Sequence, residues 1–414
     1  KHTKMATARD KLLLIVLLAN IITFTLATCP AETAALRTVT GRCNHQTDIE
    51  RGSAEQIFYR SKVGTFYEDG LSIPRESPRT TRVATNVLSD SSSTPKDTTA
   101  CNTVSLFHTI FGQFVAHDHT FSMKFPFVGG PVNTTTDLVI PVGPDDPFSF
   151  NRDGTPKPFD EQNPGVIRTG KSFAITDENG VRQPINSQTG WLDLSTVYWR
   201  DETNLNQFRS FTDGRFGLSD HTLISTWNPA NQRDLTSDPE RRKLFDNLLV
   251  LTQTGTPIDR SLHGSDPDSE IFVSGDERAG ENTGLAAVHL MWVKEHNYIA
   301  ANLKAQHPDW TDEQLFVKAR HINIGQYQHM VHTEWLTALL GDMQTARYLG
   351  KWTGYKPSVN GQISVINAFA SLRYGHSTII NFLLMYDNCR NRDLLKGFNG
   401  QLGTRGVSNV RQVM

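Results

Sequence analysis

Apolar positions recur at helical rather than strand spacing along much of the chain. Leu106, Ile110, Phe111, Phe114 and Val115 fall on one face, which predicts a helix within residues 102–122. Leu285, Val288, Met291, Trp292 and Ile299 form a second stripe, and helical pattern dominates from 283 to about 350. Within that stretch Thr311-Asp312-Glu313-Gln314 reads as a capping box that opens a new helix. Leu336, Leu339 and Leu340 continue an apolar face near its end, and a further helix is predicted from about 364 to 386. Residues 29–100 read instead as an irregular wrap, with a polar loop over Ser89–Thr99. Residues 125–188 are rich in Pro, Gly, Asp and Asn and read as a surface excursion, with a short hairpin around Asp177-Glu178-Asn179-Gly180. No internal repeat and no sustained strand alternation is visible. The expectation is a mainly α, single large domain with long irregular loops and little β structure.

Composition narrows this only a little. A chain of 414 residues with 37% hydrophobic and 20% charged residues can bury a sizeable core. A formal charge of -2 gives no reason to expect nucleic acid or a strongly anionic membrane surface as partner. The N-terminus is more specific. Lys1, His2, Lys4, Arg9 and Lys11 precede an apolar run from Leu12 to Ala27. A basic start, an apolar run of about 15 residues and small residues after it describe a secretory signal peptide over 1–28. The run is short for a membrane span of about 20 residues, so none is expected in the mature chain. Secretion implies an oxidising compartment. Of the four cysteines, Cys29 and Cys43 are the expected pair, and Cys101 and Cys389 are left open. Asn133-Thr134-Thr135 is a glycosylation sequon consistent with an extracellular protein.

Four segments carry candidate chemistry. In Phe111–Asp118, Gln113 and His117 are four apart and share a helical face, while Asp118 points roughly 100° away. One face is then free for a ligand pocket and the next for a metal, although a surface histidine beside a solvated aspartate fits the same letters. In Thr189–Ser195, oxygen-bearing side chains at 189, 193 and 195 alternate with the carbonyl of Trp191. That suits calcium, which takes roughly six to eight oxygens; a capped turn explains it as well. In Gly275–Asn282, Arg278 and Glu281 are three apart and suit a surface ion pair. In Arg373-Tyr374-Gly375-His376-Ser377, a histidine lies within an otherwise apolar run, where a satisfied core histidine is the commoner outcome.

The wording and order of these segments resemble the animal-type haem peroxidases of the peroxidase–cyclooxygenase superfamily, which include myeloperoxidase, peroxidasin and bacterial relatives. The resemblance starts at Cys29-Pro30. It continues through Arg37–Asn44, Tyr67–Arg75, Lys294-Glu295-His296-Asn297 and Ala368–His376 to Asn388. It implies a haem peroxidase domain over 29–414 that lacks the C-terminal part of the family. It implies haem b and calcium as cofactors, with hydrogen peroxide and a small reducing donor as substrates. By this resemblance His117 is the distal histidine, Gln113 the distal glutamine and Arg278 the distal arginine. His376 is the histidine that binds haem iron, and Arg373 lies at the cofactor beside it. Asp118, Thr189, Trp191 (through its backbone), Asp193 and Ser195 are the calcium ligands, and Glu281 is a carboxylate that can esterify a haem methyl. Glu295-His296-Asn297 matches a family packing motif.

The implied chemistry needs these groups. A neutral imidazole takes the proton of the inner peroxide oxygen and delivers it to the outer one, and a guanidinium stabilises the charge on the leaving oxygen. The resulting oxoferryl haem oxidises a halide, thiocyanate or small organic donor. Two positions depart from the family. Ala116 stands where several members carry an ester-forming aspartate, and Asn282 where myeloperoxidase has a vinyl-bonded methionine. One ester through Glu281 is therefore the most that is expected. Two alternatives stay open: a fatty-acid dioxygenase or cyclooxygenase-like oxygenase, and a non-catalytic extracellular protein on the same scaffold. The dioxygenase branch places a tyrosine three before the proximal histidine, where this chain has Arg373.

Overall fold

A computed structural model describes residue 29, most of 37–73, 105–122, 137–143, 165–217 and, with short interruptions, 274–378. It also describes strand pairs at 226–227 with 271–272 and at 382–387 with 391–396, and a few positions between 146 and 156. The signal segment, Cys101, Asn133 and Cys389 lie outside the described residues.

Helices dominate what is described. Helix α1, Leu106–His119, starts after Ser105 and buries its C-terminal half: Phe111, Phe114, Val115, Ala116, His117, Asp118 and His119. A short α2, Ser195–Tyr198, and α3, Glu202–Phe208, follow the irregular middle of the chain. The longest helix, α4, Thr283–Gln306, is capped by the Asn282 side chain accepting from Leu285 N. Next comes α5, Asp312–Met330, opened by the capping box expected at Thr311 and Gln314. A single π turn, Val331–Trp335, then leads into α6, Leu336–Leu340, and α7, Asp342–Tyr348.

Helix α4 packs on α1 and on α5, and one apolar cluster joins them. It contains Phe111, Phe114, Leu285, Val288, Trp292, Phe316, Tyr327 and Trp335. Met291 packs against this cluster, so the predicted stripe on α4 is the buried face. At Gly284 the two helices approach closely: a Cβ there would lie 2.5 Å from Ile110 Cδ1. Among the described residues no helix is long and apolar enough to cross a membrane.

Strands are short and peripheral. Gln56–Ile57 (β1) pairs with Arg182–Asn186 (β5), which also pairs with Ala174–Thr176 (β4). The β4–β5 turn is the expected hairpin, with Asp177 Oδ1 accepting from Asn179 N and Val181 N. Strands Asp137–Pro141 (β2) and Val166–Gly170 (β3) form a second antiparallel pair inside the surface excursion. The expected disulfide Cys29–Cys43 is present, with a Cα–Cα distance of 5.8 Å.

The predicted helix over 364–386 is corrected. The helix α8, Val365–Phe369, ends at Ala370, and residues Ser371–Thr378 continue as a 3-10 helix. Phe382–Asp387 is instead a strand, paired antiparallel with Asn391–Lys396. A short apolar run bounded by turn-forming asparagines suits a strand as well as a helix, and periodicity does not separate the two.

Candidate active site

The face of α1 that carries Gln113 and His117 meets the loop that leads into α4. Gln113 Nε2 donates to Glu281 Oε2 at 2.7 Å, and Asn282 Nδ2 donates to Gln113 Oε1 at 2.9 Å. His117 lies between two carboxylates: its Nε2 is 3.9 Å from Glu281 Oε2 and its Nδ1 is 3.9 Å from Asp276 Oδ1. Arg278 Nη2 donates to the His117 carbonyl at 3.2 Å, and its guanidinium lies 4.4 Å from the centre of the Phe121 ring. The sequence reading of an Arg278–Glu281 surface pair is corrected, because the Arg278 guanidinium binds Asp276 instead, with Nη2 2.6 Å from Oδ2.

Burial sets the charge states here. Burial pushes the His117 imidazole well below its ordinary value, and the nearby Arg278 charge pushes the same way. The ring is therefore neutral near pH 7, the state a proton acceptor requires. Glu281 is pushed up by burial, with Arg278 opposing.

His376 lies across from this group in a different setting. The 3-10 helix that bears it packs along α1, and Thr109 Oγ1 donates to Thr378 Oγ1 at 2.9 Å. In a 3-10 helix residues three apart eclipse, so Arg373 and His376 share an edge. The Arg373 charge is felt by Arg278, Glu281 and His117, which places that edge on the side of the α1 site. His376 itself is exposed. Its imidazole is held below its ordinary value by partial burial and by Arg373. Tyr374 packs partly buried against the main core.

Behind α1 lies the oxygen-rich group. Asp118, Thr189, Asp193 and Ser195 are all buried. Ser195 Oγ donates to the Asp118 carbonyl at 2.6 Å, and Thr189 Oγ1 donates to Asp193 Oδ2 at 2.9 Å. Thr189 Oγ1 also lies 3.3 Å from the Trp191 carbonyl. The loop ends at Leu194, whose φ of 58° is left-handed, and Trp199 beyond α2 has φ 67°. Such conformations cost a β-carbon residue about 1–3 kcal/mol each and persist where the surroundings over-determine them. Burial pushes the Asp118 carboxyl well above its ordinary value, and the neighbouring Asp193 charge adds to this. Asp193 is itself pushed up by burial to about 6. Two buried carboxylates that repel one another, ringed by hydroxyl and carbonyl oxygens, fit a hard dication such as calcium. Among the described residues no cluster of three or more His, Cys, Asp or Glu side chains could hold a metal. The donor set here is different in kind, since only two of its members are carboxylates.

Sequence reasoning missed Asp276 and Gln188. Gln188 Nε2 donates to Asp276 Oδ2 at 2.6 Å, joining the Thr189–Ser195 loop to the Arg278 loop. The adjacency of Asp276 to Arg278 was visible, but its burial was not. His296, by contrast, occupies the packing role expected of it: its ring contacts Phe216 and Phe316, and Tyr198 Oη is 2.9 Å from Nδ1.

A mainly helical fold that presents a buried histidine and a partly buried arginine beside a second, exposed histidine on a short helix defines a recognisable class. The chain belongs to the animal haem peroxidase family, whose model matches residues 36–402. It is 29% identical over 388 residues to the human protein described as "Probable oxidoreductase PXDNL", covering 88% of this chain and 24% of that one. It is 29% identical over 381 residues to mouse myeloperoxidase, covering 87% of this chain and 49% of that one. The chain thus spans half or less of the curated relatives it matches. Peroxidase A from Dictyostelium discoideum shares the fold with a TM-score of 0.67 at 21% identity, over 91% of this chain and 67% of that one. Fatty acid alpha-dioxygenase from Oryza sativa does so with a TM-score of 0.63 at 17% identity, over 99% and 64%.

Proposed function

We propose that this chain is a secreted haem peroxidase domain, over residues 29–414 behind a signal peptide at 1–28, that reduces hydrogen peroxide at the expense of a halide, thiocyanate or small organic donor. The observation that carries this reading is the convergence of Gln113, His117, Arg278 and Glu281 on one side of α1, with the His376-bearing helix lying along the same helix. Family membership supports haem as the cofactor. The side chains fit it: an exposed imidazole free to ligate iron at His376, and a buried neutral imidazole at His117.

When bound, haem supplies the open iron site and the two-electron redox chemistry that O–O cleavage needs. The chain's own residues do the rest. His376 would hold the iron, and Arg373 on the same edge would offer a cation to a haem carboxylate. His117 takes a proton from one peroxide oxygen at Nε2 and returns it to the other as water leaves. Arg278 stabilises the negative charge that develops on the departing oxygen, and the low local polarity strengthens that effect. Gln113 orients ligands on the same face. Glu281 would be the carboxyl for a single ester with a haem methyl, since Ala116 cannot form one. Asp118, Thr189, the Trp191 carbonyl, Asp193 and Ser195 would hold calcium, which would fix the end of α1 and so aim His117.

The test is an absorption spectrum of the haem-loaded full chain before and after peroxide. A Soret band that shifts within seconds of peroxide addition and returns with a halide or phenolic donor supports the reading. A chain that never acquires a Soret band leaves only the non-catalytic scaffold reading. Oxygen uptake with a fatty acid, and no donor turnover, moves it to the dioxygenase branch.

A further inference from the structure

His117 and Arg278 come from distant parts of the chain, yet a single buried carboxylate faces both. Asp276 reaches the interior because Gly275 before it has no side chain: a Cβ there would lie 2.5 Å from Ser195 O and 2.6 Å from Trp199 N. The loop can therefore press directly on the backbone of α2. The Asp276 side chain is fully buried, with 0% exposure. Its Oδ1 accepts from Arg278 N and Nε, both at 2.8 Å. Its Oδ2 accepts from Arg278 Nη2 and Gln188 Nε2, both at 2.6 Å. Burial alone would push this carboxyl up, but the charge and hydrogen bonds of Arg278 outweigh it and keep it ionised.

The His117 side faces the same anion. His117 Nδ1 is buried and has no hydrogen-bond partner, and Asp276 Oδ1 lies 3.9 Å away. Leaving a buried N–H unpaired is costly, so a small approach that closes this contact is favourable. A bare nitrogen lone pair facing the same anion would be repelled. The other ring nitrogen faces Glu281 Oε2 at the same 3.9 Å, but that carboxyl is less buried than Asp276 and its Oε2 already accepts from Gln113 Nε2, so the fully buried Asp276 anion is the stronger partner and favours hydrogen on Nδ1.

We propose that Asp276 is a positioning residue that fixes His117 as its Nδ1–H tautomer and holds the Arg278 guanidinium through the same carboxylate. This rests on the roles given above to His117 and Arg278. The consequence is chemical. With hydrogen on Nδ1, Nε2 is bare and turned to the Glu281 side of the site, where it can accept a proton. With hydrogen on Nε2 the same ring, in the same place, is no base. Gln188 extends the link, because its neighbour Thr189 belongs to the oxygen-rich loop behind α1.

Nitrogen NMR of the full chain labelled with 15N-histidine tests the proposal without any activity measurement. The His117 signals are assigned by their loss in His117→Ala. The expected result is a protonated Nδ1 and a bare Nε2, shifting toward the Nε2–H form in Asp276→Asn. A wild-type His117 protonated at Nε2, or a tautomer unchanged by Asp276→Asn, overturns the proposal. The wild-type spectrum alone decides this if the variant does not fold.

Stopped-flow reaction of the haem-loaded protein with peroxide supplies the second arm. Asp276→Asn is expected to slow the Soret change by roughly 10²-fold with haem content unchanged, and Asp276→Glu to recover part of the loss. Because Asp276 acts through His117 and Arg278, adding Asp276→Asn to the His117→Ala, Arg278→Ala double variant is expected to cost less than about threefold more. Two failures are distinguishable. If His117→Ala keeps wild-type peroxide reactivity, the peroxidase reading itself fails. If His117→Ala loses reactivity while Asp276→Asn keeps it, only the positioning role fails.

Discussion

The two histidines of the site sit in opposite surroundings. His117 is 5% exposed on a 14-residue helix, flanked by Asp118 and His119, which are also buried. Its main-chain carbonyl is bonded through Arg278 to Asp276, and Gln113 on the same face is bonded to Glu281, the carboxylate on the other side of the ring. His376 is exposed on an eight-residue 3-10 helix, and Thr378 Oγ1 joins that helix to α1. The contrast fits the roles proposed for the two rings. A base that moves a proton must be held in one tautomer and orientation by its surroundings. A ligand that bonds to a metal gains its own fixing energy from that bond. The His117 side is thus ordered by the protein alone, while the His376 side leaves its ring exposed.

Four outcomes would sharpen or break that contrast. The largest is expected from His376→Ala, which should abolish haem incorporation, seen as loss of the Soret band, while the circular dichroism of the protein stays unchanged. A variant that retains normal haem content would remove His376 from the iron. Next is His117→Ala, expected to keep haem and lower the second-order rate with peroxide by about 10²–10⁴-fold in stopped-flow absorbance. Third is removal of calcium. A chelator, or Asp193→Asn, should lower the melting temperature and slow the peroxide reaction together, because the same loop supports the end of α1. At a free calcium concentration of 100 times Kd the ion is worth about 2.7 kcal/mol. Calorimetry that shows no calcium dependence would dissolve the proposed link.

The fourth outcome concerns pH, and near neutral pH it is the smallest. His289 and His296 are buried and pushed down to about 4 and about 3, first of all by desolvation. Below about pH 6.5 the unfolded chain binds protons at these rings and the folded chain does not. Stability is therefore present above that pH and is lost as pH falls toward 4, by at most about 1.4 kcal/mol per pH unit per ring. Urea melts at stepped pH check the slope, and His296→Gln should flatten it. His376, exposed, should contribute little, which carries the contrast between the two sides into thermodynamics.

How much of this could be read from letters alone varied along the chain. Helices α1, α4 and α5 announce themselves by apolar spacing and by the Thr311–Gln314 box, because burial of a whole helical face leaves a periodic trace. The Cys29–Cys43 pair and the Asp177 turn are local and equally legible. Gln113 and His117 share a face by arithmetic. Asp276 left no such trace: its burial depends on Gly275 meeting the backbone of Ser195 and Trp199, some eighty residues away. The segment around His376 misled for the opposite reason. Its apolar letters fit a helix or a strand, and the chain uses an α turn, a 3-10 stretch and a strand in succession.

The segment that runs through and past the disulfide has a further consequence, in the time domain. Gly190 N donates to Gly52 O at 2.8 Å, Tyr59 N to Ile363 O at 2.8 Å, and Arg320 Nη1 to Arg37 O at 2.6 Å. One stretch near the N-terminus thus braces the oxygen-rich loop, helix α5 and the approach to His376. Each bond closes a loop of well over a hundred residues, and such closures come late and slowly. During synthesis this early stretch must wait for partners that emerge more than a hundred residues later, so both halves of the site lock late in folding. Refolding from denaturant should be correspondingly slow, with exposed apolar helix faces seeking other company in the meantime.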